Sequence, residues 1–405
     1  MNTDGWALLS SPQVSELLAA ILATEGGQLL AWRLDQVDRT PGEVSTVSYL
    51  ATTQWPGRGI HEELIGVTAR AAGPSQIDRR AKVFTVQGIE LVAWRYPDDP
   101  ELPGLRTAAF GSAVAALFNE QQLVDRRLHA DQIELQMVTY RPRCRAVVRA
   151  DLPGLGRTFY LKAMRASEVA TVLARHRLLG AHGLPVPKIV AVDPDALIVM
   201  PALPGEPLAV RLYEATPPVD ARQLVELLDA LPPAVAGLPR RQSWADHVNH
   251  FAGLVAGALP GQAARLAWMT SVIVPGLAGY PLGVEPTHGD FHEGQVFVSG
   301  GRITGLLDID TIGPGRRTDD LACLLAHLST VQGMNPQQAG RLDRLVGQWT
   351  AVFDQRIDPV ELRLRTAAVT ISLASGPFRA QEPNWQRTTV AILDAAERWL
   401  RQLGS

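Results

Sequence analysis

Two aspartates in the stretch THGDFHEGQVFVSGGRITGLLDIDTIG could carry out chemistry together. Asp290 ends the HGD motif on a predicted tight loop, where a carboxylate can accept a hydrogen bond from an attacking hydroxyl. Asp308 follows the apolar run RITGLLD, which comes after a Gly-Gly turn and predicts the second strand of a hairpin. A carboxylate at that strand end would offer Mg²⁺ an oxygen ligand. Singly, Asp290 could be a turn residue and Asp308 a cap, but their combined spacing favours phosphoryl transfer.

Lys162, in the predicted strand FYLKAM, is the candidate cation for a nucleotide phosphate. Only three of the 38 basic residues are lysines, so a lysine in an apolar strand carries more weight here than in most chains. The alternative is an exposed lysine on an edge strand. The apolar flanks of Lys162 favour the functional interpretation.

These motifs resemble those of the aminoglycoside phosphotransferase-like kinases, whose pattern is HGDxxxxN, a hairpin, an ID motif and then DLA. The corresponding pieces here are HGDFHEGQ, LLDID and Asp319-Asp320-Leu321-Ala322, and the resemblance extends over residues 96–405. The maltokinase-like branch is the most similar, because it also has HGDxHxGQ. The resemblance implies an α+β, bilobal protein-kinase-like fold. It also implies a kinase that transfers a phosphate from ATP to an alcohol group.

The resemblance further implies a Mg²⁺ site formed by Gln295, Asp308 and Asp310, with Asp290 as the catalytic base. Gln295 replaces the Asn of the wider family, and its amide oxygen is the same kind of ligand on a longer stem. Two interpretations stay open: a subfamily variant that binds the metal, or a degraded site. Asp310 matches only by residue type, since the maltokinase pattern has DFEGEP where this chain has DIDTIG. Asp320 is expected to hold the catalytic loop by hydrogen bonds.

For the nucleotide, the resemblance implies that Lys162 contacts the α- and β-phosphates of ATP. The run ALIVMPALPG resembles the link between the lobes, where the backbone of Met200 and Ala202 would contact the adenine ring. The proline between them has no N–H to donate. Glu168 is either the helix partner of Lys162 or only an acid in the first helical turn, a position that the helix dipole favours.

The candidate acceptor-binding residues are Arg379, Glu382 and Trp385, in the stretch GPFRAQEPNWQR between two predicted helices. An aromatic face and polar groups suit a sugar, and the alternative is a connecting loop with a packed tryptophan. The maltokinase pattern has RPxW where this chain has EPNW, and an anion there favours a cationic acceptor. We expect glucosamine, converted to glucosamine 6-phosphate. The alternatives are maltose, converted to maltose 1-phosphate, an aminoglycoside antibiotic, and a non-catalytic binding module.

Three parts are expected along the chain. Residues 1–88 alternate strand-like runs with turns after a helix at residues 11–24, and predict a β-rich N-terminal cap. The segment YPDDPELPGL marks a boundary, and residues 89–203 predict a β-rich nucleotide-binding lobe. Residues 204–405 are helical apart from the hairpin, and predict an α-rich lobe for catalysis and acceptor binding.

Composition narrows the class of protein. With 46% hydrophobic and 20% charged residues the chain is expected to be soluble and globular, and its net charge of -3 gives no reason to expect nucleic acid or a membrane as partner. No secretion signal is recognisable, so the cytoplasm is the expected location. The two cysteines form no metal motif, and Asp246, His247 and His250 are expected to be solvated on one helix. The expected partners are a small acceptor and MgATP, for a monomer or homodimer.

Overall fold

This computed structural model of the chain describes residues 4–71, 81–86, 88–212, 214 and 217–404. The chain forms two compact units. Unit 1 consists of three segments: Met1–Ala170, Ile189–Ala202 and Arg379–Gln381. Unit 2 consists of the other three: Thr171–Lys188, Leu203–Phe378 and Glu382–Ser405. The predicted α+β class is confirmed, because unit 1 is rich in antiparallel strands and unit 2 in helices.

The first sheet of unit 1 is antiparallel and has the strand order β1-β2-β3-β5-β4. Its strands are β1 Gln28–Thr40, β2 Val44–Trp55, β3 Gly59–Ala71, β4 Lys82–Val86 and β5 Ile89–Arg95. Helices α1 Trp6–Leu9 and α2 Val14–Ala23 precede it, and α2 buries Val14, Leu18, Ile21 and Leu22 on one face. Because β5 pairs with both β3 and β4, this sheet continues to Arg95, beyond the predicted end of the cap at residue 88.

The second sheet of unit 1 has the order β6-β7-β8-β10-β9. Its strands are β6 Glu134–Arg141, β7 Arg145–Leu152, β8 Arg157–Met164, β9 Ala191–Asp193 and β10 Leu197–Pro201. Helices α3 Leu105–Ala109 and α4 Gly111–Glu120 contribute Leu105, Val114 and Phe118 to the same apolar core. Alternate residues of β7 are buried, which is the two-residue period of a sheet with one covered face.

A buried chain of hydrogen bonds joins the two sheets of unit 1. The indole N–H of Trp94 donates to the Tyr140 hydroxyl (2.8 Å), which donates to the Asp99 carboxylate (2.8 Å). Asp99 also accepts the backbone N–H of Arg143 (2.7 Å). Gly66 lies against Trp94, and a Cβ there would be 2.3 Å from the indole ring, so a larger residue would displace the tryptophan. Asp99 belongs to the predicted boundary segment YPDDPELPGL, so this segment supplies the acceptor at the end of the hydrogen-bond chain.

Tyr140→Phe should lower the free energy of unfolding by about 1–3 kcal/mol, because it leaves the buried Trp94 N–H without an acceptor. Tyr96→Phe is the matched control, since Tyr96 packs edge-on against Tyr140 with 5.8 Å between ring centroids. Urea unfolding of both variants measures the difference. An equal loss in the two variants would contradict the importance of the hydrogen-bond chain.

Helix α5, Ala166–Ala181, has its first residues in unit 1 and the others in unit 2. The remaining helices are α6 Leu208–Arg211, α7 Ala221–Asp229, α8 Val248–Ala258, α9 Ala263–Leu277, α10 Arg317–Ser329, α11 Pro336–Phe353, α12 Pro359–Leu373, α13 Gly376–Arg379 and α14 Trp385–Arg401. Short strands accompany them: β11 Glu206–Pro207, β12 Glu285–Thr287, β13 Val296–Ser299, β14 Arg302–Leu306 and β15 Gly313–Gly315. Within the described residues no helix combines the length and the apolar character needed to cross a membrane.

Helices α10 and α12 form the centre of unit 2. Both are buried on nearly all sides, as expected for helices enclosed by other elements rather than lying at a surface. α10 packs on α12, which also contacts α8, α9 and α14. The hairpin β13–β14 turns at Gly300 and Gly301, both with positive φ, as the sequence predicted.

Candidate active site

The HGD loop follows β12 and is held from behind by Asp320. This buried carboxylate, near the start of α10, accepts the backbone N–H groups of His288 (2.9 Å) and Gly289 (2.8 Å). Gly289 has φ +84°, and a Cβ there would lie 2.7 Å from the Thr311 carbonyl oxygen, so the turn requires glycine. The prediction that Asp320 holds the catalytic loop is confirmed.

His288 fastens the loop to the end of the hairpin. Its Nε2 donates to the Leu307 carbonyl (2.9 Å), and its Nδ1 accepts the backbone N–H of Asp290 (3.3 Å). Burial lowers the pKa of His288, so the ring is neutral at pH 7, with one donor and one acceptor nitrogen. Because Leu307 immediately precedes Asp308, this bond joins the segment of the predicted base Asp290 to the segment of the predicted metal ligand Asp308.

Gln295 lies at the same open end of the hairpin, immediately before β13. Its carbonyl accepts the N–H of Leu307 (2.8 Å), which brings it beside Asp308. The Gln295 side-chain amide contacts His292 Nε2 at 3.0 Å. His292 Nδ1 accepts the Gly294 N–H (3.1 Å), so His292 Nε2 carries the ring proton and faces the Gln295 amide nitrogen. Because two donors cannot bond to each other, the amide must be turned so that its oxygen accepts this proton. A carbonyl oxygen has two lone pairs, so it can accept this bond and still bind a cation.

Asp310 is placed in a 3₁₀ turn, Ile309–Thr311, directly after Asp308, which itself adopts φ +50°. Arg175 of α5 donates from Nη1 to the Asp310 backbone carbonyl. Desolvation lowers the pKa of Arg175, while the charge of Asp310 acts in the opposite direction. The turn is thus held by a buried guanidinium, and the metal role of Asp310 stays a prediction.

Lys162 occupies an interior position of the second sheet of unit 1. It pairs with Val147 on one side and Ile198 on the other, and the residue is only 7% exposed. The alternative of a surface lysine on an edge strand is therefore wrong. Glu168 is exposed in the first turn of α5 and forms a 3.6 Å ion pair with Arg165, which fits the interpretation as a first-turn acid.

The two predicted adenine-contact positions differ in their backbone bonds. Met200 pairs with Tyr160 in the ladder between β8 and β10. The N–H of Ala202 donates to the Thr158 carbonyl (2.9 Å), so this donor is already used within the sheet. An adenine contact at Ala202 is left with the carbonyl oxygen, and both contacts stay predictions.

The three predicted acceptor residues do not form one cluster. Arg379 is grouped with unit 1 and lies 3.8 Å from the Asp38 carboxylate. Trp385 starts α14 and packs edge-on against Phe378, with 5.0 Å between ring centroids. Glu382 is exposed, and its backbone closes the turn before α14. Their acceptor role stays a prediction.

Several residues near Asp290 were not predicted from the sequence to be part of the site. The Cys323 thiol on α10 donates to Asp290 Oδ1 (3.9 Å). One turn further along α10, the His327 ring stacks on His292, with 4.0 Å between centroids. Burial lowers the pKa of His292 to about 4 and of His327 to about 3, and raises that of Glu293 to about 7. In the sequence, the i,i+4 spacing of Cys323 and His327 was the pattern that could have indicated that these two side chains lie on the same face of α10.

Unit 2 also contains a cavity of about 520 Å³ next to the loop, lined in part by Gly289 and Thr311. Its wall carries a set of aromatic and polar side chains: Trp244, Asp246, His247, His250 and Tyr280. Trp244 also packs against the small cluster of Cys323, Ala326 and Val369. Cys323 thus contacts both Trp244 in the cavity wall and Asp290. Asp246, His247 and His250 are exposed, as predicted, and they also line this cavity, which the sequence did not indicate.

A buried ionic network lies behind the cavity. Glu361, which is 1% exposed, pairs with Arg316 and with Arg365 Nε (2.7 Å). Arg365 Nη1 reaches Asp319 (2.7 Å), the neighbour of the loop anchor Asp320. Each buried charge therefore has an opposite charge in contact, which a low-dielectric interior requires. The network ties α12 to the beginning of α10.

A fixed loop that presents a carboxylate, and a hairpin end with amide and carboxylate oxygens, are the components of a phosphoryl-transfer site. The comparison of sequences gives the same class. The model of the phosphotransferase enzyme family matches residues 145–354, which is more than half of the chain, and the chain belongs to this family. It is a phosphotransferase.

Solved structures with partial similarity have little sequence identity with this chain. A thermostable mutant of the aminoglycoside phosphotransferase APH(4)-Ia, in complex with ADP and hygromycin B, is 14% identical over 71% of this chain and 97% of its own, with a TM-score of 0.48. The macrolide 2'-phosphotransferase MphH from Brachybacterium faecium is 20% identical over 70% and 98%, with a TM-score of 0.41. A choline/ethanolamine kinase family protein from Mesorhizobium loti is 16% identical over 66% and 88%, with a TM-score of 0.46. No curated protein matches the chain.

Asp320→Asn should reduce kcat by about tenfold or more and lower the free energy of unfolding by about 1–3 kcal/mol, because an amide presents a donor to one of the two loop N–H groups. Asp343→Asn on the exposed face of α11 makes the same chemical change away from the loop. Steady-state kinetics and urea unfolding test both variants. Normal turnover in Asp320→Asn would show that the loop does not need this anchor.

Proposed function

We propose that this phosphotransferase transfers the γ-phosphate of MgATP to a hydroxyl of a small amino sugar, with glucosamine and glucosamine 6-phosphate as the expected acceptor and product. The observation that carries the proposal is the cavity of about 520 Å³ beside the HGD loop. Its volume is in the range of sites that enclose small molecules, about 300–1,000 Å³. Trp244 on its wall packs against Cys323, whose thiol donates to Asp290.

In this proposal Asp290 accepts a hydrogen bond from the acceptor hydroxyl and directs its oxygen toward the phosphorus. Gln295, Asp308 and Asp310 would hold Mg²⁺, which neutralises charge on the phosphate oxygens. Lys162 would bind the nucleotide phosphates. The hydrogen bonds to Asp320 and Leu307 keep the loop and the hairpin end in place during the reaction.

The amino-sugar assignment draws on the wall of the cavity. Trp244 offers an aromatic face, and the Asp246 carboxylate is about half exposed, with 46% of the side chain accessible. Asp246 lies 3.8 Å from Arg365 and accepts the Ser243 N–H (3.2 Å), yet a carboxylate can accept about four hydrogen bonds. An ammonium group on the sugar would find its counter-charge there. Glu382 is the second candidate for this role.

A neutral sugar such as maltose is the alternative acceptor, and the arginines of the cavity favour it. The charges of Arg316 and Arg365 are neutralised by Glu361 and Asp319. The charged residues of the lining that remain are then two cations, Arg240 and Arg241, and one anion, Asp246. An excess of cationic donors suits hydroxyl or acidic groups better than an ammonium group. The two assignments therefore differ in whether the charge of Asp246 matters for binding.

An ADP-release assay with MgATP and a panel of glucosamine, N-acetylglucosamine, glucose, maltose and kanamycin tests the function. We expect glucosamine to be turned over fastest. Asp246→Asn should raise KM for glucosamine by about 10–100-fold and leave KM for glucose nearly unchanged, since it removes a charge-assisted bond. Glu382→Gln is the matched acid-to-amide variant outside the cavity.

Each other outcome has a definite meaning. A selective rise in KM for glucosamine in Glu382→Gln alone would place the amine at the turn before α14. A maltose optimum that is insensitive to both substitutions would establish the neutral acceptor. No turnover with any acceptor, despite MgATP binding, would refute the sugar-kinase proposal.

A further inference from the structure

Three potential ligands of a transition metal converge at the catalytic aspartate. One ligand atom each from Asp290, Cys323 and His327 lie within 4.8 Å of one another. Cys323 Sγ and Asp290 Oδ1 are 3.9 Å apart. Cys323 and His327 are one turn apart on α10, a rigid helix at the centre of unit 2, so their spacing is fixed by the helix. Two separate segments therefore contribute to one small cluster.

The dimensions of this cluster fit zinc. With a Zn–S bond of about 2.3 Å and a Zn–O bond of about 2.1 Å, a sulfur and an oxygen on a tetrahedral zinc ion lie about 3.6 Å apart. The observed 3.9 Å between Cys323 Sγ and Asp290 Oδ1 requires only a small side-chain rotation. Three protein ligands leave a fourth position for water, as in open zinc sites.

The ligand types separate this cluster from the predicted Mg²⁺ site. Mg²⁺ prefers oxygen ligands, whereas thiolate and imidazole favour Zn²⁺ and its chemical relatives. Gln295, Asp308 and Asp310 offer oxygen, while Cys323 and His327 offer sulfur and nitrogen. Metal binding would release the thiol proton of Cys323 to solvent, because the thiolate is the ligand.

A second, overlapping cluster of His292, Glu293 and His327 is a poorer candidate. The two imidazole rings are stacked with an angle of 5° between their planes. The nitrogen lone pairs lie in the ring planes, so two parallel stacked rings cannot both direct them at one cation. Gly294 and Gln295 also already contact the two nitrogens of His292. The stack instead orients the His327 ring beside Cys323.

We propose that Asp290, Cys323 and His327 form a binding site for a thiophilic divalent cation such as Zn²⁺, and that occupancy of this site inhibits phosphoryl transfer. Inhibition rests on the proposed function, because a bound cation would withdraw negative charge from the Asp290 carboxylate and so weaken the hydrogen bond that it offers to the acceptor hydroxyl. The binding itself does not depend on that function. Raising the Mg²⁺ concentration should not relieve the inhibition, since the two cations occupy different ligands.

Absorption spectroscopy of the full-length protein titrated with Co²⁺, a spectroscopic substitute for Zn²⁺, tests the site without measuring turnover. We expect a sulfur-to-cobalt charge-transfer band in the wild type that is absent in Cys323→Ser and retained in Cys144→Ser, the matched change at the other cysteine. His327→Ala should weaken Co²⁺ binding by about tenfold or more. Competition with Zn²⁺ should remove the band.

Several results would overturn the proposal. A band that disappears in Cys144→Ser but persists in Cys323→Ser would move the metal to the other thiol. Visible absorption without a sulfur band, lost in Glu293→Gln, would assign the metal to the overlapping cluster. Absence of any band in a folded wild type would exclude the site. If Co²⁺ binds as expected but Zn²⁺ inhibition is relieved by Mg²⁺, the inhibitory role fails and the binding site stands.

Discussion

Two hydrogen bonds to one buried carboxylate, that of Asp320, hold the HGD loop, and the proposed site of chemistry depends on them. The N–H groups of His288 and Gly289 donate to Asp320, which fixes the backbone immediately before Asp290, and Gly289 itself lines the cavity. A buried N–H that loses its acceptor costs about 1–3 kcal/mol, so the loop has few other conformations of similar energy. The positive φ of Gly289 permits the turn, and the Thr311 hydroxyl closes it by donating to the His288 carbonyl (2.8 Å).

The anchor is itself supported by charge. Burial raises the pKa of Asp319 and of Asp320 to about 6, so both are largely ionised at pH 7 despite their surroundings. Arg317 lies 3.4 Å from Asp320, and Arg365 binds Asp319. Through Glu361, the same network reaches α12, which is buried at the centre of unit 2. The HGD loop therefore depends on charged side chains that lie far from it along the chain.

The local parts of this site could be predicted from the sequence, whereas the parts made by tertiary packing could not. The hairpin and its glycine turn follow from short patterns whose geometry is fixed within a few residues. The role of Asp320 follows from the family resemblance, because its contact with the loop joins distant positions of the chain. In the sequence, the residues around Asp246 have the pattern of an ordinary polar helix start. Only the packing of Trp244 against α10 shows that they form a cavity wall. The proximity of Cys323 to Asp290 depends on the packing of the loop on α10, which no local pattern reports. Likewise, β5 completes the first sheet because of a non-local pairing with β3, and composition alone ended the cap too early.

The most direct test of the account is the effect of Asp290→Ala on single-turnover phosphoryl transfer, with ADP affinity measured by calorimetry on the same sample. Asp131→Ala, an exposed aspartate of unit 1, is the control. We expect a loss of about 10²–10⁴-fold in the rate with ADP affinity preserved, because in the proposed function Asp290 acts on the acceptor and not on the nucleotide. Transfer at the wild-type rate would contradict the role of the HGD loop as the site of chemistry. A parallel loss of ADP affinity would show that Asp290 serves nucleotide binding instead.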